Sequence, residues 1–419
     1  MIPTISTLDY DSLLKYLEGQ NTSHYGEDLE SMLRSLRLEI DPAKVIVVAG
    51  TNGKGTTCAA LQTLLREAGK NVGLFSSPHL EKVNERIKFN CRDVADEEFV
   101  RLFLEVDELI HDHNPSYFEY LTFMAANYFF RHHKNNIDFA IFEVGVGGTL
   151  DSTNVIPHDI SVITKIGMDH MNILGNSLKE IARNKFGIIR SNNKVFHAKF
   201  SDEIADLANC CAIAKSAQLL EACDCSLSVD FSEKYPTFFI MSPWGKFPLP
   251  LPGKRAVENT ALAMTVFAHI VPAPVQYMCA VEKICWPGRM EKISLQNQEI
   301  FFSGDHNVPG IESLLELLPY YMSGRNNVAF VVGICRDKEH RAMLQKLMDF
   351  PNSKLYLTET PIKTLKIQEY DPGFREMAIV ADPNAKSALA AAMEDAQPND
   401  LIVVTGSLYL VGLLRSLFL

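Results

Sequence analysis

The 419-residue chain predicts an α/β protein of two domains, and three observations point there. Short β-branched runs alternate with helical patterns through most of the sequence, the signature of parallel sheets covered by helices. One such run, Val45-Ile46-Val47-Val48-Ala49, feeds a glycine-rich loop, Gly50-Thr51-Asn52-Gly53-Lys54-Gly55-Thr56-Thr57, which opens a helical stretch from Cys58 to about Ala68. A second α/β series starts near Pro287-Gly288, and the length exceeds what one hydrophobic core usually serves. The expected plan is a glycine-loop domain over 1–290 and a smaller α/β domain over 291–419.

Taken in order, the strands are expected at 45–49, 72–76, 138–144, 160–166 and 194–198, then at 299–303, 328–334, 354–358, 376–380 and 401–405. Helices are expected near 56–68, 96–112, 119–133, 177–190, 256–270, 309–319 and 339–348. The stretch 223–251 is rich in Phe, Pro and Ser, and Phe238 to Leu251 reads as a hairpin around Pro243-Trp244-Gly245, an antiparallel appendage of the first domain. Leu401 to Leu419 carries only Arg415 as a charge, but Gly406, Ser407 and Gly412 divide it into strand, turn and helix rather than a membrane anchor.

Composition narrows the function. A formal net charge of −11 argues against a nucleic-acid surface or an anionic membrane as partner, while leaving room for small anions held by local cations. Nine cysteines without regular spacing suggest reduced thiols and a cytoplasmic setting. Cys210, Cys211, Cys223 and Cys225 lack metal-ligand spacing and read as partly buried thiols. The start, Met1-Ile2-Pro3-Thr4, has neither the basic segment nor the apolar core of a signal peptide.

The glycine loop carries the chemistry. Glycines let the backbone turn tightly and aim N–H groups inward, and the following helix N-terminus adds partial positive charge, so the segment reads as a cradle for the phosphates of ATP. Lys54 would reach the outer phosphates and the Thr56 or Thr57 hydroxyl would sit beside Mg²⁺. The match to G-x-x-x-x-G-K-[ST] is incomplete, with Val48 at the first glycine and Gly55 between Lys54 and Thr56. A solvated turn is the competing reading. Ser76-Ser77-Pro78-His79-Leu80 ends the second strand, where Ser77 offers a hydroxyl and Arg86 a nearby cation, or the segment is a simple turn. Glu143 is the single acid of an apolar strand and precedes the turn Gly145-Val146-Gly147-Gly148. A metal-holding role or a structural ion pair would each justify its burial. His170, in Gly167-Met168-Asp169-His170, is by spacing a core histidine or a member of a Mg²⁺ shell.

Together these stretches resemble folylpolyglutamate synthase and dihydrofolate synthase, members of the Mur ligase superfamily of ATP-dependent amide-forming enzymes. The resemblance runs almost end to end, through VIVVAGTNGKGTT at 45–57, GLFSSPHL at 73–80, NERI at 84–87 and FEVGVGGTLDSTN at 142–154. It continues with VITKIGMDH at 162–170, NKFGIIR at 184–190, LPGKRAVEN at 251–259, PGRME at 287–291, GDHN at 304–307, VVGICRDKE at 331–339 and VTGSLYLVG at 404–412. The resemblance implies a P-loop-containing, Mur-ligase-like central domain and a smaller Rossmann-like α/β C-terminal domain. It implies ATP on Asn52, Gly53, Lys54, Gly55 and Thr56, with Asn259, Arg289, Asp305 and His306 as further ATP contacts. Mg²⁺, at two sites, would use Thr56, Ser77, Glu143, His170 and a Lys185 carbamylated by CO₂. Asp151 would face the pterin and Ser407 the incoming glutamate, with Lys54, Lys185 and His306 as catalytic groups. The implied substrates are dihydropteroate or reduced folate, L-glutamate and ATP, and the implied form is a cytoplasmic monomer.

Five positions depart from that pattern. Thr149 replaces an arginine after the glycine turn, Asn184 a glutamate, and Arg255-Ala256 a His-Gln pair. Ser303 stands where the family carries an ATP-contacting acid, with Asp305 two residues away. Arg255 would restore the charge absent at Thr149 if both served one anion. A fold kept without turnover, or a ligase for another acid, are the readings these departures leave open.

Overall fold

The computed structural model describes residues 9–20, 23–295 and 298–418, which divide into two compact units. The first comprises residues up to Ile166, Leu174–Asp224 and Glu258–Val281. The second comprises Gly167–Ile173, Cys225–Val257 and Glu282 onward.

The first unit is built on an eight-stranded sheet. Its strands are β1 (Val45–Ala49), β2 (Val72–Phe75), β3 (Ile87–Phe89), β4 (Arg92–Asp93), β5 (Phe139–Glu143), β6 (Ile160–Ile163), β7 (Lys194–His197) and β8 (Gln218–Glu221). Their order is β4-β3-β2-β5-β1-β6-β7-β8, parallel from β2 to β8 with β3 and β4 as an antiparallel edge. β1 is apolar throughout and buried throughout, as a central parallel strand covered on both faces must be. Register aligns Phe75 with Phe142 and Val48 with Glu143, so the loops after β2, β5 and β1 leave one sheet edge side by side. Helix Lys54–Glu67 packs back on β1, β2 and β5 with Cys58, Ala60, Leu61, Leu64 and Leu65 buried.

The second unit holds a six-stranded sheet and a smaller one. β12 (Arg289–Leu295), β13 (Gln298–Ser303), β14 (Val328–Val332), β15 (Ser353–Leu357), β16 (Val380–Ala381) and β17 (Leu401–Thr405) run in the order β12-β13-β17-β14-β15-β16, with only β12 antiparallel. β9 (Ser226–Asp230), β10 (Thr237–Ser242) and β11 (Gly245–Pro248) form the antiparallel sheet. The expected hairpin is present with one strand added. Its Phe238 is buried against Tyr320 and Tyr321, so this segment groups with the second unit although the sequence reading placed it in the first.

Most expected elements recur within a few residues. The region 376–380 differs: Asp371 caps a short helix, Pro372–Met377, and only Val380–Ala381 pairs as strand. Helices Tyr10–Glu18, Glu27–Ser35, Asp202–Ala214 and Ala385–Asp395 were not anticipated. Among the described residues no disulfide joins the nine cysteines, and no helix is long and apolar enough to cross a membrane.

Candidate active site

The phosphate loop owes its shape to two glycines. Gly50 has φ 146° and Gly53 φ 92°, both in territory that favours glycine. A Cβ on Gly50 would fall 1.8 Å from Thr164 Oγ1, and one on Gly53 would fall 2.1 Å from Asn259 Oδ1. Thr164 donates its hydroxyl to the Asn52 carbonyl at 2.9 Å, and Thr51 N–H binds the Lys165 carbonyl at 3.0 Å. Asn259, expected on the adenine side, lies directly over the loop and its carbonyl accepts from Thr57 Oγ1 at 3.3 Å.

Two lysines converge here. Lys54 Nζ donates to the Gly50 carbonyl at 3.2 Å, and the buried Lys185 Nζ donates to the same oxygen at 2.8 Å. Gly55 and Thr56 form the buried first turn of the helix behind them. Glu143 is buried at the end of β5 and accepts the Ser77 backbone N–H at 3.0 Å. Burial, together with the Glu143 charge, pushes the Cys58 thiol well up while Lys54 opposes, so both charges act on the second turn of this helix. Thr56, Ser77 and Glu143 are two hydroxyls and a carboxylate, a donor set suited to a hard cation such as Mg²⁺. Among the described residues no three His, Cys, Asp or Glu side chains converge as a metal-binding group, so hydroxyl oxygens are needed to complete one.

Asp151 is held by the turn it follows. Its carboxylate accepts from Gly145 N (2.9 Å), Val146 N (3.1 Å), Thr153 N (3.0 Å) and Thr153 Oγ1 (2.6 Å). Burial raises its pKa against those four bonds. The group shapes the glycine turn. The turn in turn rests on the helix Leu178–Phe186 that carries Lys185. A Cβ on Gly148 would meet the Asn184 and Lys185 carbonyls at 2.8 and 2.9 Å, and Thr149 gives both N–H and Oγ1 to the Asn184 carbonyl. Thr149 is thus a docking residue.

In the second unit the segment Ser303–Asn307 joins β13 to helix Val308–Tyr321. Asp305 is buried, one oxygen ion-paired with Arg255 and the other accepting from Ser303 Oγ at 2.7 Å. Burial would raise its pKa, but Arg255 and Arg289 hold it below the usual range. Arg289 lies opposite Ser303 where β12 bulges, and reaches the Gly304 carbonyl at 3.4 Å. His306 donates Nδ1–H to the same carbonyl at 2.9 Å, and burial plus the Lys338 charge lower its pKa to about 4, so it is a neutral imidazole. Ser407 is buried, caps helix Leu408–Arg415 through Tyr409 N, and stands 3.5 Å from Cys335 Sγ.

His170 belongs to this unit as well. Its φ of 50° is left-handed, and its N–H binds Asp169 Oδ1 at 2.9 Å. Asp169 also pairs with Lys338 Nζ at 2.7 Å and accepts from Asn307 Nδ2 at 2.8 Å. Burial opposes its ionisation, yet Lys338 and His170 hold the carboxyl far below its ordinary range. Sequence reasoning assigned no role to Asp169, Lys338 or Thr164. All three stand inside stretches already picked out, VITKIGMDH and VVGICRDKE, which was the available signal.

A strand, a glycine loop and a helix, with lysines from two helices converging beside a buried acid, and a second α/β unit, define an α/β enzyme of the nucleotide-phosphate-binding class. The family model of the Mur ligase middle domain matches residues 48–267, and that of the Mur ligase glutamate ligase domain matches 288–408. The dihydrofolate synthase/folylpolyglutamate synthase of Bacillus subtilis (strain 168) is 30% identical over 389 residues, covering 88% of this chain and 89% of that protein. The structure of E. coli FolC in complex with DHPP and ADP superposes with a TM-score of 0.82 at 28% identity, over 99% of this chain and 98% of that one. A bifunctional folylpolyglutamate synthase/dihydrofolate synthase with Mn, AMPPNP and L-glutamate bound gives 0.83 at 26% identity, over the whole of both chains. The chain belongs to the Mur ligase family, in its folylpolyglutamate synthase and dihydrofolate synthase branch.

Proposed function

We propose that this chain uses ATP to join the carboxylate of a pteroate- or folate-type acid to the amino group of L-glutamate. The observation that carries this reading is the placing of Lys54 and Lys185 on the Gly50 carbonyl, at the sheet edge where Glu143 and Ser77 also meet. The family match and the nucleotide, metal and glutamate in the related structures support it.

A substrate carboxylate oxygen attacks the γ-phosphorus of ATP, and the bond to the ADP oxygen breaks, leaving an acyl phosphate. The uncharged amine of glutamate then attacks that carbonyl and inorganic phosphate leaves, giving the amide. Loop N–H groups of 50–56 bind the phosphates, and Lys54 neutralises charge as it moves to the leaving oxygen. Thr56, Ser77 and Glu143 would hold Mg²⁺, which when bound supplies further neutralisation of the phosphates; His170 and a carbamylated Lys185 complete our proposed set of two sites. A carbamate on Lys185 keeps one N–H, enough for the bond to Gly50, while turning a cation into an anion. Arg289 provides a phosphate-side cation. Neutral His306, with Nδ1–H committed to Gly304, keeps Nε2 as an acceptor for a hydrogen bond from the amino group of glutamate. Ser407 faces the glutamate in this reading, and the enzyme works as a cytoplasmic monomer.

The test is Mg²⁺-dependent ADP release with L-glutamate, run separately with dihydropteroate and with tetrahydrofolate. Turnover with either acid, lost in Lys54→Ala, is expected. Glutamate-independent turnover, or silence with both acids despite ATP binding, would overturn the reading.

A further inference from the structure

Asp305 is a buried acid committed through both its carboxylate and its carbonyl. Its carboxylate is taken by Arg255 and by Ser303 Oγ, and its carbonyl by Gly406 N–H at 3.0 Å and Thr405 Oγ1 at 3.3 Å. The preceding carbonyl, Gly304, accepts from both His306 and Arg289. Ser303–Asn307 is therefore a hub, and its one buried negative charge has two guanidinium groups acting on it: Arg255 in direct contact and Arg289 electrostatically. A buried carboxylate left without a partner costs so much that it recruits whichever cation remains. Both members of the pair are local substitutions: Arg255 stands where the resemblance expects His, and the acid that it expects at 303, now Ser303, is found two residues on as Asp305.

We propose that Arg255 is a positioning residue for the ATP-dependent step: by saturating Asp305 it keeps that carboxylate off Arg289, so that Arg289 and His306 stay set for an anionic ligand. The proposal rests on the ATP-ligase reading above. In it Asp305 is a neutralised anchor rather than an ATP contact. Truncating Arg255 then harms nucleotide binding by releasing a competing anion, and removing that anion repairs the damage.

The experiment measures ADP affinity by calorimetry, and KM for ATP against kcat, in Arg255→Met, Arg255→Lys and the double variant Arg255→Met/Asp305→Asn. Arg255→Met is expected to weaken ADP and raise KM for ATP about tenfold, with the double variant returning to within about threefold of wild type. Arg255→Lys, which keeps a cation on Asp305, is expected to stay within about threefold, and it decides the matter if Arg255→Met does not fold. A double variant no better than Arg255→Met, or an Arg255→Lys as impaired as a loss of charge, overturns the proposal. So does an Arg255→Met that lowers only thermal stability. Lys54→Ala is run alongside: ADP affinity unchanged in that variant sinks the ATP reading itself, whereas its loss with no effect at 255 sinks only the inference.

Discussion

The phosphate loop of the first unit is made of backbone, and the Ser303–Asn307 loop of the second is made of charge. Gly50 and Gly53 hold conformations that side chains resist, with Thr164 and Asn259 filling the space a Cβ would need. Nothing in that arrangement depends on a pair of charges meeting. Around 303–307 the backbone is ordinary, and order comes from Arg255 on Asp305, Lys338 on Asp169 and Asn307 on Asp169. A backbone site fails by strain and is indifferent to salt and pH. A charge site fails when one partner is removed, because the other is left buried. The two loops should therefore break in different ways.

The largest effect is expected at Gly53. An alanine there meets Asn259 Oδ1 and keeps φ at 92°, so loop N–H groups shift; nucleotide binding should fall about 100-fold or more. Adding Asn259→Ala relieves the clash but not the backbone strain of about 1–2 kcal/mol, so recovery should be partial. Full recovery in titration calorimetry would show that the side-chain clash, not the backbone, shapes this loop. The counterpart is Lys338→Met, which strands the Asp169 carboxylate; the two side chains are 9% and 8% exposed. It should cost about 3–5 kcal/mol in urea unfolding, and Asp169→Asn in the same background should return part of it. A cost under about 1 kcal/mol would remove the contrast between the loops.

The same contrast explains what could be read in advance. The glycine loop, the lone acid Glu143 and the parallel sheet were legible because their signals lie within a few residues: a run of β-branched residues, then glycines, then a helix. The structural role of Asp151 was also local, an aspartate two residues before Thr153 whose amide it caps. Lys338 and Asp169 are 169 residues apart, and Arg255 and Asp305 are 50 apart, so no periodicity links them. The departures at 255 and 303 were visible singly; that they answer one another through Asp305 is a tertiary fact. Short helices such as Tyr10–Glu18 and Glu27–Ser35, two and a half turns each, escaped because most of their support comes from packing rather than propensity.

The smallest expected effect separates the units by acid response. Burial, then the Lys338 charge, holds His306 near 4 instead of the ordinary 6.5. Below pH 6.5 the unfolded chain takes up a proton that the folded chain refuses until about pH 4, so stability is lost as pH falls through that window and is untouched above it. His79, lowered to about 3 by burial and then Arg86, adds the same slope from the first unit. His306→Gln should therefore remove only its own share. Between pH 7 and 5 the variant should lose about 1–2 kcal/mol less than wild type in urea unfolding. Equal losses would mean that His306 is no more shielded than an exposed histidine. The second unit's loop would then be open to water, and its network of buried charges worth correspondingly little.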